Sequence, residues 1–336
     1  MTRPLRWGFI GASNIAERVI AALRKIEGQD LVAVCSRSAE RARAFAAEQG
    51  LPSAQTDLSA FLRDGRFDAV YVSSTNELHC EQTLAALAHG CHVMCEKPLA
   101  MNLADAARMV GEARARGLVL ATNHHLRAQA AHRMIRDIVA AGEIGHVHGV
   151  QVSHAVYLPA HLQGWRLAQP GAGGGVVLDI LVHDADLLRF LLGREPLRIH
   201  TFAQHNGLAQ GALEDAAMSV IEFDGGTLAQ THESFVAAHA LTRLHVLGTR
   251  GSLYALGSLT QAGSASLWQR DERGERELPV PAVDLYETAL RAFVEACAGR
   301  GAPLASGTDG ARSLAVALAG LASAASGRTE SIAAAL

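Results

Sequence analysis

Short apolar runs alternate with amphipathic stretches through the first third of the chain. Residues 5–10, 31–35, 69–73, 92–95 and 119–121 are nearly all apolar and short, which predicts strands buried on both faces. Between them, 16–26, 39–49, 77–89 and 103–116 carry apolar residues at helical spacing. Strand and helix in this rhythm predict βαβ units and a parallel sheet covered on both sides. Near residue 125 the pattern changes. A helix is predicted over 130–141, closed by Gly142, and another over 177–192. Around the second lie longer alternating runs at 147–157, 197–205, 217–223, 227–235, 241–247, 252–256 and 266–269. Asp224-Gly-Gly and Thr249-Arg-Gly supply turns among them, so a mostly antiparallel sheet is expected. Helices over 285–298 and 310–325 close the chain. The predicted division is 1–125 and 126–336, with the last helices able to pack on either part.

Length and composition fit that division. The chain has 336 residues, 49% of them apolar, enough for two cores. Its net charge of −3 and lack of Lys/Arg clustering argue against nucleic acid as a partner. No apolar run approaches the ~18 residues of a membrane span. The first apolar run is too short for a signal peptide and leads into a glycine turn. Five cysteines, odd in number and mostly in predicted strands and helices, point to a reducing compartment rather than a disulfide framework. A cytoplasmic protein with no membrane partner is expected.

Candidate chemistry begins at Gly8-Phe-Ile-Gly11-Ala12-Ser13-Asn14-Ile15-Ala16, which follows a strand and opens a helix. In that context it reads as a dinucleotide phosphate loop, although an ordinary strand–helix turn has the same outline. Gly11 permits the tight turn and Ala16 allows close packing. Ser13 stands where a glycine is usual and is expected to donate a hydrogen bond to phosphate. The second strand ends in Cys35-Ser36-Arg37-Ser38, with Arg41 close behind. A carboxylate there would bind a ribose 2′-hydroxyl, whereas Arg pairs with a 2′-phosphate, so NADP(H) is favoured over NAD. Both arginines could equally be solvated residues at a helix start.

Two further segments stand out. Cys95-Glu96-Lys97-Pro98 ends a parallel strand, where ligands bind in such sheets. Asp179, His183 and Asp186 are spaced i, i+4, i+7 and are predicted to share one helix face. Taken singly, Lys97 could be a surface lysine and His183 a satisfied helix histidine.

With these motifs the chain resembles the Gfo/Idh/MocA family of pyridine-nucleotide oxidoreductases. The resemblance rests on Gly11–Ala16, Thr75-Asn76-Glu-Leu-His79, Glu96-Lys97-Pro98, Gly164-Trp165-Arg166, Asp179-x3-His183 and, late in the chain, Tyr286 with Phe293. It implies an α/β fold: an N-terminal Rossmann domain with a parallel sheet, and a C-terminal α/β domain with a mostly antiparallel, open-faced sheet. The runs 71–79, 122–127 and 154–166 look like those of the family's anhydro-sugar reductases. The implied reaction is NADPH-dependent reduction of the C2 ketone of 1,5-anhydro-D-fructose to 1,5-anhydro-D-mannitol.

Roles follow from that chemistry. Lys97 is the candidate for stabilising charge on the carbonyl oxygen. His183 is the candidate general acid. Asp179 would bind substrate hydroxyls or orient the imidazole. Ser74, Thr75, Asn76, His79, Glu96, Asn123, Trp165, Arg166 and Tyr286 are carried over as cofactor contacts. Tyr157, His161 and His124 are candidates for the sugar pocket. The resemblance leaves monomer or homodimer open. It also leaves open a dehydrogenase of another polyol or keto-sugar, and a non-enzymatic nucleotide sensor, against which the joint presence of Lys97 and His183 speaks.

His89, Cys91, His92 and Cys95 imitate a metal cluster. Along a strand, Cys91 and Cys95 lie ~13 Å apart, with His92 on the other face, so they read as core residues and no metal is expected.

Overall fold

The computed structural model describes residues 3–334. Their contacts group into two compact units: one of residues up to 124 together with 286–311, the other of 125–285 with 312 onward.

The first unit holds β1 (Leu5–Ile10), α1 (Asn14–Leu23), β2 (Gln29–Cys35), α2 (Ala39–Glu48), β3 (Ser53–Gln55), α3 (Leu58–Gly65), β4 (Ala69–Val72), α4 (His79–Ala88), β5 (His92–Cys95), α5 (Leu103–Arg116) and β6 (Leu120–Thr122). The six strands form one parallel sheet in the order β3-β2-β1-β4-β5-β6. The order reverses between β1 and β4, the crevice where such sheets bind ligands. Helix starts follow local chemistry: Ser13, Ser38, Asp57 and Asn102 each accept an amide hydrogen bond from the first turn. The uninterrupted apolar strands are explained by burial on both faces. The short β3 and the helix α3 were not visible in the apolar pattern.

The second unit contains α6 (Ala130–Ala140), β7 (Val147–Ala155), α7 (Ala160–Ala168), α8 (Val182–Leu192), β8 (Pro196–Gln204), β9 (Ala216–Phe223), β10 (Leu228–Ser234), β11 (Arg243–Gly248), β12 (Gly251–Leu256), β13 (Ser266–Asp271) and β14 (Gly274–Leu278). Near the C-terminal end come α9 (Leu285–Cys297), α10 (Gly307–Ser326) and β15 (Glu330–Ser331). The nine-stranded sheet runs β14-β13-β12-β11-β7-β10-β9-β8-β15 and is antiparallel except at β7–β10. Its inward residues (Val150, Val152, Ile199, Ile221, Ala229, Leu244, Val246, Leu253) are buried beneath helices, while Phe202, Met218, Val220 and Leu228 lie exposed on the other face. The second sheet is thus open-faced, as alternation requires. Sequence periodicity missed α7, β14 and β15.

α9 belongs to the first unit. Its Phe293 ring lies 5.6 Å from that of Trp7, and Tyr286, Leu290 and Phe293 join the core around β1 and α1. Among the described residues, no helix is long and apolar enough to cross a membrane.

Candidate active site

In the first unit the chain turns at Gly11, with φ +105°. A Cβ there would sit 2.7 Å from the Ser73 carbonyl carbon and 2.8 Å from the Ser74 nitrogen, so only glycine fits between β1 and the end of β4. Ser13 caps α1: its hydroxyl accepts from the Ala16 amide at 3.2 Å and donates to Ser73 Oγ at 2.8 Å. This bond ties the turn to β4, and the start of α1, with Ala12, Asn14 and Ile15, supplies the positive end of the helix dipole. After β2, the Ser36 amide is held by the Gln55 carbonyl at 3.1 Å. Arg37 is exposed. Arg41 donates to the Ala12 carbonyl at 2.9 Å, which holds its guanidinium over the turn. A loop that excludes a Cβ, a helix N-terminus and a cation at the turn together suit a dinucleotide.

The strand ends beyond β4, β5 and β6 bring the next group together. Asn123 Nδ2 donates to Glu96 Oε1 at 2.6 Å, and the Tyr71 hydroxyl donates to the same oxygen. Burial, reinforced by Glu96, pushes the Tyr71 phenol well above its ordinary pKa, so it stays a donor. Tyr286 is buried in the same core. Lys97, half-buried, follows Glu96 and precedes a cis peptide to Pro98. His79 is fully buried, its Nδ1 2.8 Å from the Pro98 carbonyl and Nε2 3.3 Å from that of Ser74. Burial holds its imidazole below the usual value. A neutral imidazole carries one N–H, so His79 donates to only one of these carbonyls, of which that of Pro98 is the nearer. Ser74 and Thr75 bond Gln82 and Glu77, and Asn76 and His124 are buried.

In the second unit the predicted helix over 177–192 opens with a π turn, Val177–Leu181, before α8. The wider turn changes the angular spacing on which a shared face for Asp179, His183 and Asp186 depended. Asp186 is engaged elsewhere, accepting two bonds from the buried Arg127 at 2.7 and 2.8 Å. Asp179 pairs with Arg166 Nε at 3.3 Å, and that guanidinium lies over the Trp165 ring. His183 is buried, packed edge-on against His125. Asp184 holds the His154 ring at 2.7 Å. Tyr157 is half exposed and His161 lies exposed at the start of α7. Tyr71, His125, Arg127 and the Asp184–His154 pair were not singled out from sequence, because their spacing follows no local period.

The cysteine–histidine cluster is dispersed: Cys91 and Cys95 are buried and His92 half-buried, whereas His89, expected in the core, is exposed at the end of α4. Cys91 Sγ donates to the Phe67 carbonyl, His92 Nδ1 accepts from the Val119 amide, and burial pushes the Cys95 thiol far up. Among the described residues, no group of three or more His, Cys, Asp or Glu side chains is placed to hold a metal ion.

Residues 5–124 match the profile of an oxidoreductase family with an NAD-binding Rossmann fold, and 132–254 that of the GFO/IDH/MocA C-terminal domain. The chain is 50% identical to a 1,5-anhydro-D-fructose reductase of Ensifer adhaerens, over 97% of this chain and 98% of the relative. The chain belongs to the Gfo/Idh/MocA family. Within the family it is also 35% identical to a dTDP-3,4-didehydro-2,6-dideoxy-alpha-D-glucose 3-reductase of Streptomyces violaceoruber, over 89% of this chain and 88% of the relative. The fold is shared with an oxidoreductase domain protein from Kribbella flavida (TM-score 0.89, 24% identity, 99% of this chain and 100% of the other). This family member is therefore an oxidoreductase whose first unit is its nucleotide-binding Rossmann domain.

Proposed function

We propose that the protein reduces the C2 ketone of 1,5-anhydro-D-fructose to 1,5-anhydro-D-mannitol with NADPH. The observation that carries this reading is the 50% identity, over nearly the full length of both chains, to a protein bearing that reductase name. Gly11, Ala12, Ser13, Asn14 and Ile15 hold the pyrophosphate. Ser36, Arg37 and Arg41 receive the 2′-phosphate, which the absence of a carboxylate at Ser36 favours. Ser74, Thr75, Asn76, His79, Glu96, Asn123 and Tyr286 shape the nicotinamide end, and Trp165 and Arg166 add further contacts to the cofactor. The dihydronicotinamide supplies the hydride. Lys97 offsets the charge that develops on the ketone oxygen. His183 delivers the proton to that oxygen. Asp179, kept in place by Arg166, accepts from a sugar hydroxyl, and Tyr157, His161 and His124 contact the sugar.

The test is steady-state turnover of 1,5-anhydro-D-fructose, followed by the absorbance of reduced nicotinamide, with NADPH and NADH compared and the product's C2 configuration determined. Fast turnover with NADPH to the mannitol epimer is expected. No turnover with either cofactor overturns the reading, and a keto-sugar panel including 3-keto substrates would then be decisive, given the 35% identical 3-reductase.

A further inference from the structure

Three segments of the second unit are knitted together where the helix carrying Asp179 and His183 begins. The first is α7 with Trp165 and Arg166, the second Gly173-Gly174-Gly175, and the third the loop from His205 to Asp215. The Gly175 amide donates to the Arg166 carbonyl at 2.9 Å, and the Gln210 amide to that of Leu167 at 2.7 Å. The Val176 amide donates to the Glu214 carbonyl at 3.1 Å, and the Val177 amide to Glu214 Oε1 at 3.0 Å. Asp215 holds the loop from within, accepting from the amides of Asn206, Leu208 and Ala209.

The glycines make this approach possible. A Cβ on Gly174 would lie 2.8 Å from the Arg166 oxygen and 3.0 Å from that of Trp165. A Cβ on Gly175, at φ +100°, would lie 2.3 Å from Glu214 Oε1. Glu214 is itself buried, and burial raises its pKa while the Val177 amide opposes that rise. A buried carboxyl spent on a first-turn amide is costly unless the placement matters. The segments it joins carry the Arg166–Asp179 ion pair and, farther along the helix, His183.

We propose that Glu214 is a positioning residue, whose carboxyl, bound to the Val177 amide, seats the first turn of the Asp179–His183 helix against the Trp165–Arg166 turn and so sets where His183 presents its proton. The inference rests on the reading of His183 as the proton donor. Displacing a catalytic group by a fraction of its own size costs turnover more than binding. Glu214→Gln keeps the acceptor oxygen, Glu214→Asp withdraws it by one methylene, and Glu214→Ala removes it.

The experiment measures kcat and KM on the full chain with NADPH and 1,5-anhydro-D-fructose, together with hydrogen exchange of the Val176–Asp179 amides. Glu214→Asp and Glu214→Ala are expected to lose protection at those amides and to lower kcat on the order of tenfold, with a smaller change in KM. Glu214→Gln should restore both readouts. Unchanged kcat in Glu214→Ala, failure of Gln to rescue, or protection lost evenly across 125–285 overturns the proposal. If the wild type reduces no sugar ketone, the functional reading has failed, and the local exchange pattern alone then decides whether Glu214 seats the helix.

Discussion

His183 packs edge-on against His125, with ring centroids 4.9 Å apart and planes at 81°. An imidazole held this way cannot swing its ring without moving its neighbour, and the proposed proton transfer would feel that constraint. His183→Ala is expected to lower kcat by about 10²–10⁴ while leaving NADPH affinity nearly intact. His125→Phe preserves the ring's shape but removes its nitrogens, and a smaller loss with a displaced pH–rate profile is expected. Equal losses in the two variants would mean that both rings take part directly.

Arg41 bridges α2 and the phosphate turn through the Ala12 carbonyl. Its removal should cost one charge-assisted bond to the 2′-phosphate, so Arg41→Ala raises KM for NADPH by about ten- to a hundredfold and barely affects NADH. Ser36→Asp should add repulsion and reverse the preference. The check is the ratio of kcat/KM for the two cofactors.

His132 is fully buried, with Nδ1 2.8 Å from the Leu126 carbonyl, and burial pushes its imidazole down to about 4. Its folded-state pKa is thus below the unfolded value of 6.5. The unfolded chain binds the extra proton between those values. Stability from this group is therefore complete above pH 6.5 and is lost as pH falls toward 4, by about 3 kcal/mol. His132→Asn keeps a donor for Leu126 and does not titrate, so its denaturant midpoint should vary less with pH across that window. Parallel curves for the two proteins would count against it.

Arg127 and Asp186 form a two-bond ion pair with side chains 8% and 1% exposed. Asp186→Ala strands a buried guanidinium and is expected to destabilise by about 3–5 kcal/mol. Replacing both partners by Met and Leu should recover most of that loss, because no uncompensated charge remains. Chemical denaturation of the single and double variants measures the difference.

Part of the first unit was legible because its signals are local. Gly11 announces itself by strand, glycine and helix in succession, and its conformation is one other residues cannot share. Ser36, Arg37 and Arg41 follow a strand whose end the apolar run marks. The change from continuous to alternating apolar strands foretold a parallel sheet buried on both faces followed by a mostly antiparallel one. Local reasoning stopped where a side chain's partner comes from far along the chain. Ser13 bonds Ser73, Asp186 bonds Arg127, and His79 lies beside the Pro98 and Ser74 carbonyls, and no local spacing announces these partners.

By itself the sequence determined most of the longer strands and helices, the change from a parallel to a mostly antiparallel sheet and the tight turn at Gly11, because each depends on periodicity or on the backbone freedom of a single position. Tertiary structure alone decided that α9 returns to Trp7, that a π turn precedes His183, and that Tyr71, Asn123 and Glu96 share one oxygen. It also paired Asp184 with His154 and Glu214 with Val177. These are contacts between residues far apart in the chain, and burial makes every polar group in them find a partner. Which partner it finds depends on three-dimensional proximity, which no local pattern of hydrophobic and polar positions encodes.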